Sequence, residues 1–430
     1  STEELFQEIP EELLYPHGLD LPRPLSELEL SRHMKELAEQ NKGTEELVSF
    51  LGGGHYDHYI PAAVDHILSR GEFYTAYTPY QAEMSQGTLQ AIYEYQTMIT
   101  QLTGMDVANA SIYDGASALA EAALVAVNTA RGRNKIIAAS TINPTHLEVI
   151  STYTRGRAEI TIVEAPAKGG IVDLDTLKGL IDDETAAVLV QTPNFFGNLE
   201  AADEIAGIAH DGGALLIVSA DPISLGILEA PGNYGADMAV GEGQALGNPQ
   251  SFGGPGLGYF AADKKFMRNV PGRIAGATVD NEGNRGFVLT LQTREQHIRR
   301  ERATSNICSN QALNALAAAV YMSIMGREGM VEAAEQCLQK AHYAFDKITS
   351  IPGFEAAFEA PFFKEFTVKC PLPAGEVVEK MLAKRYLAGI DLGRYYPENP
   401  EMKNHLLIAV TEKRTKAEID DLAKELEGLA

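Results

Sequence analysis

Four short apolar runs, Lys135-Ile-Ile-Ala-Ala, Ile160-Thr-Ile-Val, Ala187-Val-Leu-Val-Gln and Ala214-Leu-Leu-Ile-Val-Ser, restrict the folds open to this sequence more than any other feature. Each has the length of a strand and is apolar nearly throughout, as in strands covered on both faces. Longer amphipathic stretches at 116–129 and 202–210 flank and separate them. Helices in those places act as crossovers, which makes the strands parallel. The expectation is a doubly wound α/β domain with a mostly parallel sheet.

With 430 residues, 45% of them apolar, the chain can fill a large core and a smaller one. Residues 1–60 are charged and proline-dotted, with a helix expected at 26–40, and read as an arm or cap. Residues 61–328 form the large α/β domain, closing on a helix at 310–325. From about 329 the pattern becomes mixed. Phe366-Thr-Val-Lys-Cys and Leu406-Leu-Ile-Ala-Val-Thr read as strands, and 377–384 and 416–429 as helices, so 329–430 is expected to be a small α+β domain.

A net charge of −24, from 59 acidic and 35 basic side chains, repels nucleic acid and anionic lipid. Cys308, Cys337 and Cys370 show no CxxC spacing, so neither a disulfide framework nor a structural zinc site is expected. No apolar run approaches the roughly 18–20 residues of a membrane span, and the acidic start is unlike a signal or transit peptide. A cytoplasmic protein is expected. The chain opens on Ser1 rather than Met, so a few leading residues are expected to be missing.

In Asn109-Ala-Ser-Ile-Tyr-Asp-Gly-Ala-Ser a polar turn feeds a helix. Its start, with Gly115 and Ser117, suits a phosphate; equally, Asp114 serves as an ordinary N-cap. Asp221 follows an apolar strand at the edge where open α/β sheets bind ligands. It can pair with a pyridinium nitrogen, or Asp-Pro can be a simple turn. The Gly-rich stretch 235–256 looks like the cofactor-lysine segment of a pyridoxal-phosphate enzyme, with Gln244 in the lysine's place. A glutamine amide is not basic and cannot form lysine's bond to the cofactor's aldehyde. Lys264 and Lys265 read instead as a solvated turn.

The loop Tyr77-Thr-Pro-Tyr-Gln-Ala-Glu offers Tyr77, Thr78, Tyr80, Gln81 and Glu83 to a planar ring, within the chain or across a subunit boundary. Alternatively it is a rigid turn leading to a helix capped by Ser85. His55 and His58 have no third ligand at compatible spacing, so no metal is expected. Arg294, His297, Arg299, Arg300 and Arg302 cluster in an acidic chain, either as an anion site or as partners for acidic groups. Arg414 sits where a small-domain arginine would meet a substrate carboxylate.

The 77–87 loop, the helix at 92–104, the 109–120 turn, the Gly-rich stretch and Leu291-Gln-Thr-Arg-Glu-Gln-His-Ile-Arg-Arg-Glu-Arg-Ala-Thr-Ser-Asn-Ile-Cys together resemble the glycine cleavage system P-protein, the decarboxylating glycine dehydrogenase. The resemblance covers nearly the whole chain, and the length matches subunit 1 of the two-subunit form. It implies an aspartate-aminotransferase-like fold, that of type I pyridoxal-phosphate enzymes, and a subunit 2 that carries the lysine and the cofactor. Subunit 2 would then decarboxylate glycine and pass the aminomethyl group to the lipoyl arm of H-protein, in an assembly with two copies of each subunit.

The resemblance further implies that this chain holds no covalent cofactor and that Asp114, Gly115, Ser117, Asp221 and Gln244 mark a vestigial pocket. Tyr77, Thr78, Tyr80, Gln81 and Glu83 would reach the partner's site, and Arg294, His297, Thr304, Ser305 and Asn306 would frame the interface. Two alternatives stand: an independent pyridoxal-phosphate lyase or aminotransferase using another lysine, and a purely structural or regulatory pseudoenzyme.

Overall fold

A computed structural model describes residues 2–15, 18–130, 132–307 and 309–429; Cys308, which ends the 291–308 segment, lies outside them. Seven strands form the main sheet: β1 (Val107–Ala108), β2 (Lys135–Ala139), β3 (Thr161–Ala165), β4 (Thr185–Thr192), β5 (Leu215–Ala220), β6 (Met238–Glu242) and β7 (Gly258–Ala262). Their order is β1-β7-β6-β5-β4-β2-β3. Strands β2 to β6 pair in parallel, and β7 runs antiparallel to both of its neighbours. All four apolar runs of the sequence are strands of this sheet. In β4 residues 185–190 are buried without interruption, because helices cover both faces.

The helix Gly115–Thr129 lies across β4 to β7, and its many small alanines allow close approach to the sheet. Its start therefore sits beside the ends of β6 and β7. The parallel direction of β5 and β6 brings Asp221 and Gln244, just beyond their carboxyl ends, to one edge.

A second, antiparallel sheet joins Glu355–Ala356, Glu365–Lys369, His405–Ala409 and Ile390–Asp391, in that order. Helices Ala374–Leu382 and Lys416–Glu427 share its core through Val377, Met381, Ile419, Leu422 and Leu426. The long helix Ala312–Thr349 serves both cores, with Ala315 to Cys337 in the first and Ala341, Ala344 and Ile348 in the second. The sequence pattern predicts a helix ending near 325. Instead the chain kinks at Gly326 with φ of +58° and continues helical to Thr349. Glycine takes that conformation without a Cβ penalty, so the breaker bends the helix and does not end it.

Residues 1–47 and 48–430 are two compact units. In the first, the helix Glu27–Ala38 is closed by a capping box between Ser26 and Glu29, and none of its residues is buried. No helix among the described residues is long and apolar enough to cross a membrane.

The Phe366 ring packs edge-on against Phe345 and beside Phe362, and is 2% exposed. Phe366→Ala is expected to cost about 3–5 kcal/mol in urea unfolding. A loss below about 1 kcal/mol would show that this ring is not a core element.

Candidate functional site

The edge that carries Asp221 and Gln244 is filled by polar contacts. One Asp221 carboxylate oxygen accepts from the Ile223 and Ser224 amides at 2.8 and 3.0 Å, the local turn that Asp-Pro suggests. The other lies 2.5 Å from Lys364 Nζ, an ion pair with side chains only 9% and 2% exposed. Lys364 also lies 3.0 Å from His58 Nε2 and 3.5 Å from the centre of the Tyr56 ring.

From His58 the chain of contacts continues to Glu412. His58 Nδ1 meets Glu412 Oε2 at 2.6 Å, and the Cys337 thiol donates to the same oxygen at 3.3 Å. Burial alone would raise the Glu412 carboxyl, but His58 and the Tyr59 amide outweigh it and hold it down at about 2. His58, Cys337 and Glu412 present ligand atoms within 4.8 Å of one another. Lys364 beside His58 opposes a cation there, and the hydrogen bonds account for the grouping.

Gln244 is 2% exposed and spends its amide locally. Its Nε2 donates to the carbonyls of Asn248 at 2.6 Å and Tyr56 at 3.2 Å, and its Oε1 accepts from the Tyr56 amide at 2.9 Å. The segment 52–58 thus enters the pocket as its filler. Glycine makes this passage feasible: a Cβ on Gly52 would lie 2.7 Å from that of Ala409, and Gly53 has φ of +71°. Tyr56 then donates its hydroxyl to Glu365 at 2.7 Å, and burial pushes that carboxyl up to about 7.

At the start of the helix Gly115–Thr129, Asp114 is an N-cap, accepting from the Ser117 amide at 2.7 Å. The Gly115 amide donates to Glu242 Oε2 at 2.9 Å, and Glu242 Oε1 accepts from the amides of Leu257 and Gln244 at 2.7 and 3.0 Å. Burial raises the Glu242 carboxyl, with His55 the main opposing influence. Nearby, burial lowers His146 to about 4.

The remaining sequence candidates lie elsewhere. Tyr77 and Tyr80 are 85% and 55% exposed, Gln81 and Glu83 are also exposed, and Thr78 is half-buried. Tyr80 is tied back by Arg273, which donates to its hydroxyl at 3.3 Å. Ser85 stands at the N-cap position of the next helix without a side-chain cap bond. Arg294 is buried and donates to the carbonyls of Leu291, Val270 and Gly272, so it braces main chain. His297 is half-exposed and 3.7 Å from Glu295. Arg299, Arg300 and Arg302 line an open cavity of about 910 Å³ with Thr304, Ser305, Asn306 and Glu121. Arg414 is used internally, 2.9 Å from Asp57 and 3.5 Å from Glu418. Lys265 pairs with Asp237 at 2.6 Å, before β6 and hence at the opposite edge from Gln244.

Lys364, Glu242 and Tyr56 are the pocket residues that motif reading misses. Three consecutive glycines at 52–54 are the signal that points to the segment carrying Tyr56. Glu242 lies inside the Gly-rich stretch 235–256 but nothing local sets its side chain apart, and Lys364 has no local mark.

The sheet order, the small second sheet and the polar strand-end edge define the fold of type I pyridoxal-phosphate enzymes. A glutamate decarboxylase of Lactobacillus brevis shares the fold at a TM-score of 0.72 and 13% identity, over 99% of this chain and 96% of that one. The family model for the glycine cleavage system P-protein matches residues 1–426, and the chain belongs to that family. It is 58% identical to the probable glycine dehydrogenase (decarboxylating) subunit 1 of Carboxydothermus hydrogenoformans, over 100% of this chain and 95% of the relative. A crystal structure of glycine decarboxylase (P-protein) of the glycine cleavage system, in inhibitor-bound form, superposes with a TM-score of 0.93 at 41% identity, over 100% and 95% of the two chains.

Pyridoxal phosphate does not fit the residues of this pocket. Gln244 offers no amine, Asp221 is paired with Lys364, and the helix start is answered by Glu242. No step through the cofactor is assigned to this chain.

Glu121, 1% exposed, accepts from Ser305 at 2.8 Å, and burial raises it from 4.5 to about 7. A raised carboxyl favours the fold when protonated, so its contribution is full below about pH 4.5 and is lost as pH climbs through 7. Glu121→Gln should therefore flatten the fall in thermal midpoint between pH 5 and 8. Matching pH profiles for the two proteins would contradict the assignment.

Proposed function

We propose that this chain is the non-lysine-bearing subunit of a decarboxylating glycine dehydrogenase, completing the active site of a lysine-bearing subunit 2. Bound covalently by subunit 2, pyridoxal phosphate supplies the electron sink for loss of carbon dioxide from glycine, and the aminomethyl group passes to the lipoyl arm of H-protein. The observation that carries this reading is Gln244, which replaces the required amine and is committed to the Tyr56 main chain. The name subunit 1, borne by the Carboxydothermus relative, supports a partner chain.

In this reading the exposed 77–83 loop is the contribution of this chain to chemistry. Tyr77, Thr78, Tyr80, Gln81 and Glu83 present hydroxyl, amide and carboxylate groups where a neighbour can take them up, with Tyr80 pre-positioned by Arg273. His297, Thr304, Ser305 and Asn306 frame the subunit boundary, while Arg294 braces the main chain at Val270, Gly272 and Leu291. Two copies of each subunit, a cytoplasmic setting and a division into an arm (1–60), a large domain (61–328) and a small domain (329–430) complete the proposal. An independent pyridoxal-phosphate enzyme is disfavoured because Lys264 and Lys265 stand away from this edge.

Complexes reconstituted from this chain, subunit 2 and lipoylated H-protein test the shared site. Tyr80→Phe or Gln81→Ala is expected to lower glycine decarboxylation at least tenfold, about 1.4 kcal/mol, with unchanged assembly on size-exclusion chromatography. Full turnover with intact assembly would overturn the shared site and leave this chain a scaffold.

A further inference from the structure

We propose that the cofactor-shaped pocket of this chain is sealed by the chain's own ions, with Lys364 in the place of a pyridinium on Asp221 and Glu242 in the place of a phosphate at the start of the helix Gly115–Thr129. Two oppositely charged ends define a pyridoxal-phosphate site on this fold. A carboxylate faces the ring nitrogen, and amide groups at a helix start face the phosphate. Here both ends are present, and each already has a partner of the sign the cofactor would bring.

At the carboxylate end, Lys364, the residue just before the strand Glu365–Lys369, approaches Asp221 to 2.5 Å, with its nitrogen over the Tyr56 ring. At the helix end, Glu242 collects the amides of Gly115, Leu257 and Gln244. A phosphate there would face the carboxylates of Glu242 and Asp114, and like charges repel. Tyr56 occupies the span between, its main chain both donating to and accepting from Gln244. The two charged ends are paired and segment 52–58 closes over them, while His55 Nε2 and His146 Nδ1, near Asp114, are buried without a hydrogen-bond partner among the described residues.

The same geometry removes Lys364 as a substitute for the missing cofactor lysine. Its nitrogen sits at Asp221, where the ring nitrogen belongs, whereas the aldehyde carbon lies across the ring from that nitrogen. A cofactor paired with Asp221 would have to displace Lys364 and could not react with it there.

This inference concerns the affinity of the isolated chain for the cofactor's framework, so its failure would leave the shared-site reading of the complex untouched. Pyridoxine 5′-phosphate is the probe, since it keeps the ring nitrogen and the phosphate but has no aldehyde to react with surface lysines. Calorimetric titration of the full wild-type chain should show no saturable binding. Lys364→Met combined with Glu242→Ser should bind the probe at least tenfold more tightly. Unpairing Asp221 can unfold the chain. For that case Glu242→Ser alone, which keeps the ion pair, is tested with inorganic phosphate, and should gain thermal protection that wild type does not. Saturable binding of pyridoxine phosphate by wild type would overturn the proposal, as would folded variants that bind no better than wild type. Should neither variant fold, the wild-type titration decides alone.

Discussion

The ion pair between Lys364 and Asp221 is the contact around which this pocket is organised. Asp221 is fixed by the turn after β5, and its second oxygen points into a buried space where an unanswered carboxylate is costly. Lys364 answers it from just before the strand Glu365–Lys369 of the small sheet, so the contact links the ends of strands in the two sheets. Removing either partner alone leaves a buried charge, whereas removing both is milder.

The rest of the edge follows from that pair. Lys364 needs a second acceptor, and His58 provides it while turning its other nitrogen to Glu412. His58 can be there only because 52–58 threads past Glu365 and Ala409 on consecutive glycines. The same segment brings the Tyr56 main chain to Gln244. Glutamine at 244 and closure of the pocket are thus parts of one arrangement: an amine at 244 would lack the acceptor oxygen that the Tyr56 amide uses.

Much of the frame is legible in the sequence because a parallel sheet buried on both faces leaves uninterrupted apolar runs, as at 187–191 and 214–219. Asp114 and Asp221 are legible for a similar reason, since caps and strand ends are local. Lys364 and Glu242 are not. Their meaning comes from contacts across the chain, with 306 positions between His58 and Lys364 and 127 between Gly115 and Glu242. Segment 52–58, read from spacing as a pair of histidines without a third ligand, does bring His58 to Cys337 and Glu412, but only folding does so. Arg294 shows the converse: it looks like part of an anion site in the motif, and its donors go to main-chain carbonyls.

The central claim is that covalent cofactor chemistry belongs to the partner and not to this chain. The most direct measurement is borohydride reduction of the assembled complex loaded with pyridoxal phosphate, followed by intact-mass and peptide mapping of each subunit. The account predicts a stoichiometric phosphopyridoxyl label on one lysine of subunit 2 and none on this chain. A stoichiometric label on this chain, above all at Lys364, would contradict it.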